Sequence, residues 1–231
     1  MIRRALLFLL VAGFCCPDVR AQVLPPAKRD GFVYPPGRVV DPETILIEVF
    51  FDPVCPDSRD AWSPLKLALD HYGSRVAIVV HLLPLPFHDN AFVASRALHI
   101  VNALDANATF KLLEGFFKHQ ALFYNAQTQL MSRPAVVEEI VKLGTFTLGN
   151  SYHSALKSGF IDKKSDLATR VSFKYSTSRG VSATPTYYIN GFVLPNAGSP
   201  IDFEGLRNTI DPLVGGQEVE ETQDTFVSFL R

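Results

Sequence analysis

Between Thr44 and Phe51 the chain reads TILIEVFF, β-branched and aromatic with almost no polar residue. A run of that kind is a strand buried on both faces, and such a strand needs packed layers above and below it. A second run of the same character, RVAIVVHLLPL, spans 75–85. Between the two, from Asp57 to about Tyr72, the apolar residues Trp62, Leu65, Leu67, Ala68 and Leu69 recur at mixed three- and four-residue spacing, and Gly73 stops them. That spacing predicts a helix. Strand, helix and strand in this order form a βαβ unit and favour a parallel pair. With 47% hydrophobic residues over 231, the chain can bury a large core around it.

The rest of the chain completes an α/β plan. From 88 to 163 apolar residues recur at helical period through Phe92, Ala97 and Val101, through Phe110, Leu113 and Phe117, and through Val136, Ile140 and Val141. No strand signal interrupts them, which predicts a helical block of about four helices. A further helix is expected over 164–178, stopped by Gly180. Thr186–Asn190 and Phe192–Leu194 read as short strands joined at Asn190-Gly191, a hairpin signal. Asp202 caps a last helix through Leu206 to Leu213. The expected fold is a mixed sheet with helices on both faces, built from 44–87 and 164–214 and interrupted by an inserted helical domain at 88–163. A proline-rich, extended lead-in with one short strand occupies 22–43, and an acidic, then mixed tail occupies 215–231.

The first residues read differently. Arg3 and Arg4 precede an apolar run from Ala5 to Phe14, and Val19-Arg20-Ala21 supplies the small residues of a cleavage site. This is a secretory signal peptide over 1–21, cut after Ala21; an uncleaved anchor is the alternative. No later run is long enough to span a membrane. The expected compartment is the secretory pathway, either the ER lumen or outside the cell. Cys15 and Cys16 would leave with the signal, so the mature chain keeps Cys55 alone and can form no internal disulfide. Asn107-Ala108-Thr109 is a glycosylation sequon. A formal net charge of -1 without any run of Lys and Arg argues against a nucleic-acid partner.

The chemistry concentrates at two places. Cys55 stands where the first buried strand gives way to a helix. There, unpaired backbone N–H groups and the helix dipole favour a thiolate. Pro56 suits the first helical position. Asp57 brings a negative charge that opposes ionisation, whereas Ser58, on the same helical face, can donate a hydrogen bond to the sulfur. The competing reading is an inert, buried cysteine. At the second place, Gly180 to Ile189 reads GVSATPTYYI. Pro185 precedes a buried strand, as a cis proline in a tight turn or as an ordinary trans one at a strand edge.

Phe50-Phe51-Asp52 followed by Cys55-Pro56-Asp57-Ser58, then Thr184-Pro185 before a hairpin, resembles the thioredoxin superfamily. The helical insertion makes the chain similar to its DsbA-like branch, which also includes kappa-class glutathione transferases; the likeness covers 44 to about 214. The resemblance implies that Cys55 attacks disulfides and that Thr184 and Pro185, with Pro56 beside the sulfur, meet the substrate backbone. Ser58 replaces the second cysteine of the C-x-x-C motif, so the chain can form a mixed disulfide but cannot resolve it with a thiol of its own. The expected partners are protein or peptide thiols and disulfides. Glutathione is an expected co-substrate, with no bound cofactor. The family's buried acid would fall at Glu48, with imperfect spacing. The alternative function is a peptide- or client-binding module that has lost catalysis.

Other residues read as structural. The six histidines show no ligand spacing, so no metal site is expected. His81 reads as a satisfied strand histidine, His88-Asp89 as a helix start, and Trp62 as core. Phe110, Phe116, Phe117, Phe123 and Tyr124 read as core that could line a groove above Cys55.

Overall fold

A computed structural model describes residues 29–215. The expected signal peptide, its cleavage after Ala21, Cys15, Cys16 and all of the tail beyond Gly215 lie outside the described residues.

Five strands form one mixed sheet in the order β1-β3-β2-β4-β5: Phe32–Tyr34, Ile45–Phe51, Val76–Leu82, Thr186–Ile189 and Phe192–Val193 for β1 to β5. The hydrophobic run of β2 lies at the centre, parallel to β3 and antiparallel to β4. Its Ile47, Val49, Phe50 and Phe51 are completely buried, which fits a strand covered on both faces. The expected lead-in strand is β1, antiparallel to β3 at the sheet edge. The second strand ends at Leu82 and not at Leu85. The physical reason is Pro84 and Pro86, which have no N–H to give to a ladder.

Helix α1, Pro56–Tyr72, follows β2 and buries one stripe formed by Ala61, Trp62, Leu65, Ala68 and Tyr72. Gly73 ends it with φ 60, a conformation that costs glycine little. Between β3 and the helix that returns to the sheet come α2 (Ala91–Leu104), α3 (Ala106–His119), α4 (Asn125–Thr128), α5 (Arg133–Leu148) and α6 (His153–Gly159), with no strand among them. Helix α7, Lys163–Ser178, then packs on β3, and Asp162 caps it by accepting the Lys164 N–H at 2.9 Å. At the hairpin, Asn190 and Gly191 take φ 48 and 84, both left-handed, as a two-residue turn of this hand requires. Asn190 also grips the start of β2, its Oδ1 accepting the Leu46 N–H at 2.8 Å. A last helix, α8, runs over 203–215, and Asp202 Oδ1 accepts the Gly205 N–H at 2.8 Å at its start.

One continuous core joins the sheet to the helical insertion. Trp62 of α1 stacks on Phe110 of α3 with centroids 5.7 Å apart, and Tyr34 of β1 meets both rings edge-on. The Trp62 indole donates to Glu114 at 2.8 Å. Phe116, Phe117 and Phe123 are core as well. These rings fix the helical block against the strand and helix that carry Cys55.

Candidate active site

The turn from β2 into α1 is organised by Asp52, which is completely buried. Its Oδ1 accepts the Val54 N–H at 2.8 Å, and its Oδ2 accepts the Leu85 N–H at 3.0 Å and His88 Nδ1–H at 2.8 Å. Its backbone carbonyl accepts the Cys55 N–H at 3.0 Å. One side chain therefore ties together the ends of β2 and β3 and the start of α1. From the opposite side, buried Gln120 donates to the carbonyls of Pro53 at 3.1 Å and Cys55 at 2.8 Å, and Tyr124 holds its Oε1 at 3.0 Å. A buried carboxylate with several donors satisfies both itself and the amides around it, so this turn has little freedom.

On this turn Cys55 is the N-cap residue of α1, with extended φ -77 and ψ 123, and Pro56 occupies the first turn. Cys55 is a free thiol, 4% exposed. Its Sγ–H donates to the carbonyl oxygen of Thr184 at 3.3 Å. The Thr184-Pro185 peptide is cis, as is Tyr34-Pro35. Residues 129 positions apart in the chain thus meet, cysteine against proline loop. The loop is held by Gly198, whose N–H donates to Pro185 O at 2.8 Å, and by Thr186 Oγ1, which donates to Ala183 O at 2.7 Å. Thr184 Oγ1 is buried and has no hydrogen-bond partner among the described residues.

Two neighbours sit differently from expectation. Ser58 is completely buried, and its Oγ accepts the Asp52 N–H at 3.2 Å. Its partner among the described residues is thus the end of β2; an oxygen that accepts from an amide still has its own proton to give. Asp57 is exposed, so its charge is shared with water. The acid next to Cys55 is Asp52. Glu48 lies within β2 beneath α7, with its carboxylate 3.2 Å from His81 Nε2 and 3.4 Å from Arg179 Nη2, and Tyr175 OH donates to it at 3.2 Å. The His81 imidazole 3.2 Å away lowers the Glu48 pKa against the opposing effect of burial. His81 is itself buried, and Asp30 accepts from its Nδ1 at 2.9 Å. Burial opposes charge on His81, but the hydrogen bond to Asp30 and the nearby Glu48 carboxylate outweigh it and raise its pKa.

The structure brings Cys55, Pro56, Ser58, Thr184 and Pro185 into one site. Asn107 is remote from it, exposed in the first turn of α3, and the sequon's Thr109 hydroxyl is buried and donates to Asn102 at 3.1 Å. Asp52, His88 and Gln120 are additions that the sequence reading missed. The one local signal for them was an acid directly after a buried strand. Among the described residues no group of three or more His, Cys, Asp or Glu is placed to hold a metal ion, and no helix is long and apolar enough to cross a membrane.

No family model matches the chain, and no curated protein matches it. Solved structures do. A proposed protein-disulfide isomerase from Pseudomonas syringae is 21% identical with TM-score 0.61, over 72% of this chain and 93% of that one. The thiol-disulfide exchange protein alpha-DsbA2 from Wolbachia pipientis is 15% identical with TM-score 0.60, over 79% and 87%. The catalytic domain of Proteus mirabilis ScsC is 18% identical with TM-score 0.54, over 79% and 88%. The chain has the DsbA-like fold. A mixed five-stranded sheet interrupted by helices is the architecture these chains share with it.

Proposed function

We propose that this protein performs monothiol thiol–disulfide exchange at Cys55 in the secretory pathway, on protein or peptide disulfides and with glutathione as co-substrate. The observation that carries the reading is the 3.3 Å contact between Cys55 Sγ and the carbonyl of Thr184, at the start of a helix and against a cis-proline loop. The Cys55 thiolate attacks one sulfur of a substrate disulfide. A new S–S bond forms, the old one breaks, and the departing thiolate takes a proton from water. Backbone N–H groups at the start of α1 meet the charge on Cys55 before attack. Ser58 Oγ–H donates to that thiolate. Thr184 and Pro185, with Pro56 beside the sulfur, hold the substrate backbone. Because Ser58 is no thiol, release needs a second one from outside: glutathione, or a free cysteine of the client. Substrate disulfides are thereby shuffled without net oxidation by the protein itself. Asn107 would carry a glycan in that compartment.

Incubation of the full chain with glutathione disulfide, followed by peptide mass spectrometry, tests the reading. One glutathione on Cys55, removed by excess reduced glutathione and slowed in Pro185→Ala, is the expected result. An unmodified Cys55 in a folded chain would leave the client-binding module as the better reading. The observation that favours that second reading is the low exposure of Cys55, 4%.

A further inference from the structure

Beside the Cys55 turn, a cavity of about 600 Å³ opens between the loop after β3 and helices α2, α5 and α7. That size falls within the range of small-molecule sites. Its apolar surface comes from Leu85, Phe92 and Phe173. Three cations, Arg133, Arg170 and Lys174, line it against one carboxylate, Asp89. This is an unusual local excess in a chain of formal net charge -1. Arg170 is paired with Asp166 at 2.6 Å, but the other two cations are under-used. Lys174 has no hydrogen-bond or ion-pair partner for its ammonium among the described residues, and the Arg133 guanidinium reaches only the backbone carbonyl of Asp89, at 3.5 Å. Helices α2 and α5 both begin at this wall, with Phe92 and Arg133 in their first turns. Their N-terminal partial charges add to the positive field. Asn90 does not cap α2 with its side chain, which is spent on Phe123 O and Thr128 Oγ1.

We propose that this cavity is a binding site for a small organic anion with an apolar body, an aromatic or branched carboxylate or sulfonate. The apolar body packs on Leu85, Phe92 and Phe173, and the acid group pairs with Lys174 and Arg133. Opposite charge at a partly enclosed mouth sets orientation, and apolar area covered on the Phe92 and Phe173 rings supplies the affinity. The site is distinct from Cys55 but touches its support. His88 lines the cavity and also donates to Asp52, whose backbone carbonyl holds the Cys55 N–H. An occupant therefore lies against the hydrogen-bond chain that positions the thiol.

Fluorescence titration of the full chain with 1-anilinonaphthalene-8-sulfonate, an aromatic sulfonate, tests the proposal. Saturable binding is expected, weakened about five-fold by Lys174→Ala and by Arg133→Ala, both exposed positions. Raising the ionic strength from about 0.05 to about 0.5 M should weaken it as well. Thermal melts of both variants check that the fold persists. The uncharged analogue N-phenyl-1-naphthylamine should bind clearly more weakly. Equal affinity in the variants, or equal binding of the uncharged analogue, overturns the proposal, as does absence of binding. Cys55→Ser should bind the probe as the natural chain does, so the cavity and the thiol chemistry stand or fall separately.

Discussion

Asp52 and Glu48 are two buried acids of one strand region, and they are satisfied in different ways. Asp52 spends its carboxylate on two backbone amides and His88 at the turn that carries Cys55. Glu48 spends its carboxylate on side chains, His81, Arg179 and Tyr175, in a closed cluster beneath α7 that extends through His81 to Asp30. Two backbone amides tie the first arrangement to the geometry of the turn. The second is built wholly from side chains, and the shifted pKa values of Glu48 and His81 tie stability to pH. The contrast separates a support for chemistry from a clasp: the Glu48 cluster holds the lead-in residue Asp30, β2, β3 and α7 together.

The largest effect should come from breaking the clasp. His81→Ala strands Asp30 and Glu48 without their shared partner, and loss of one member of a buried ionic group costs about 3–5 kcal/mol. Urea unfolding would measure it, and a loss below about 1 kcal/mol would mean that the cluster is not an ionic clasp. Asp52→Ala leaves two buried N–H groups unpaired, a cost of about 2–4 kcal/mol. It should also lower the exchange rate at Cys55 in a still-folded chain, whereas His81→Ala should leave that rate nearly unchanged. Equal rate losses in the two variants would erase the distinction between support and clasp.

The pH dependence sharpens the same comparison. The raised His81 pKa contributes stability that is complete below its unfolded value of about 6.5 and fades as pH rises through the higher folded value. Burial holds the His99 pKa down, to about 4, so its contribution is present above about 6.5 and is lost as pH falls toward that folded value. The lowered Glu48 pKa adds stability above about 4.3 that is lost at more acidic pH. Urea midpoints measured between about pH 4 and pH 9 should therefore peak near pH 6.5. In His81→Ala the alkaline decline should flatten.

Much of this architecture was legible because its signals are local. The buried run of β2, the Asn190-Gly191 turn and the cysteine before Pro56 each announce themselves within a few residues. The meeting of Cys55 with Thr184 was legible only through resemblance, since no local rule joins residues so far apart. What escaped was side-chain traffic between distant segments. Asp52 read as a strand end, and His88 as a helix start; neither pattern shows that one holds the other. Gln120 lies in the helical insertion, and nothing near it in the chain marks it as the clamp on the Cys55 carbonyl. The resemblance implies a buried acid near the cysteine, and Glu48 is its nearest candidate in the sequence, at imperfect spacing. The turn after the strand supplied enough amides to bury Asp52 instead.

A smaller effect is expected at Ser58. Ser58→Ala removes the acceptor for the Asp52 N–H and should cost about 1 kcal/mol in urea unfolding. It should also slow exchange at Cys55 if the hydroxyl donates to the thiolate. Unchanged exchange would confine Ser58 to holding the strand end.

The central claim is that the fold makes one cysteine a better nucleophile than the same cysteine in a loose chain, even though it is 4% exposed. The direct measurement is the rate of mixed-disulfide formation with glutathione disulfide at neutral pH. It is followed at Cys55 by peptide mass spectrometry, in the folded full chain and in the same chain unfolded in urea. The account predicts faster modification of the folded chain, because the start of α1 meets the charge and the Thr184-Pro185 loop receives the reagent. Faster modification of the unfolded chain would mean that the fold hides the sulfur, and would contradict the proposed chemistry.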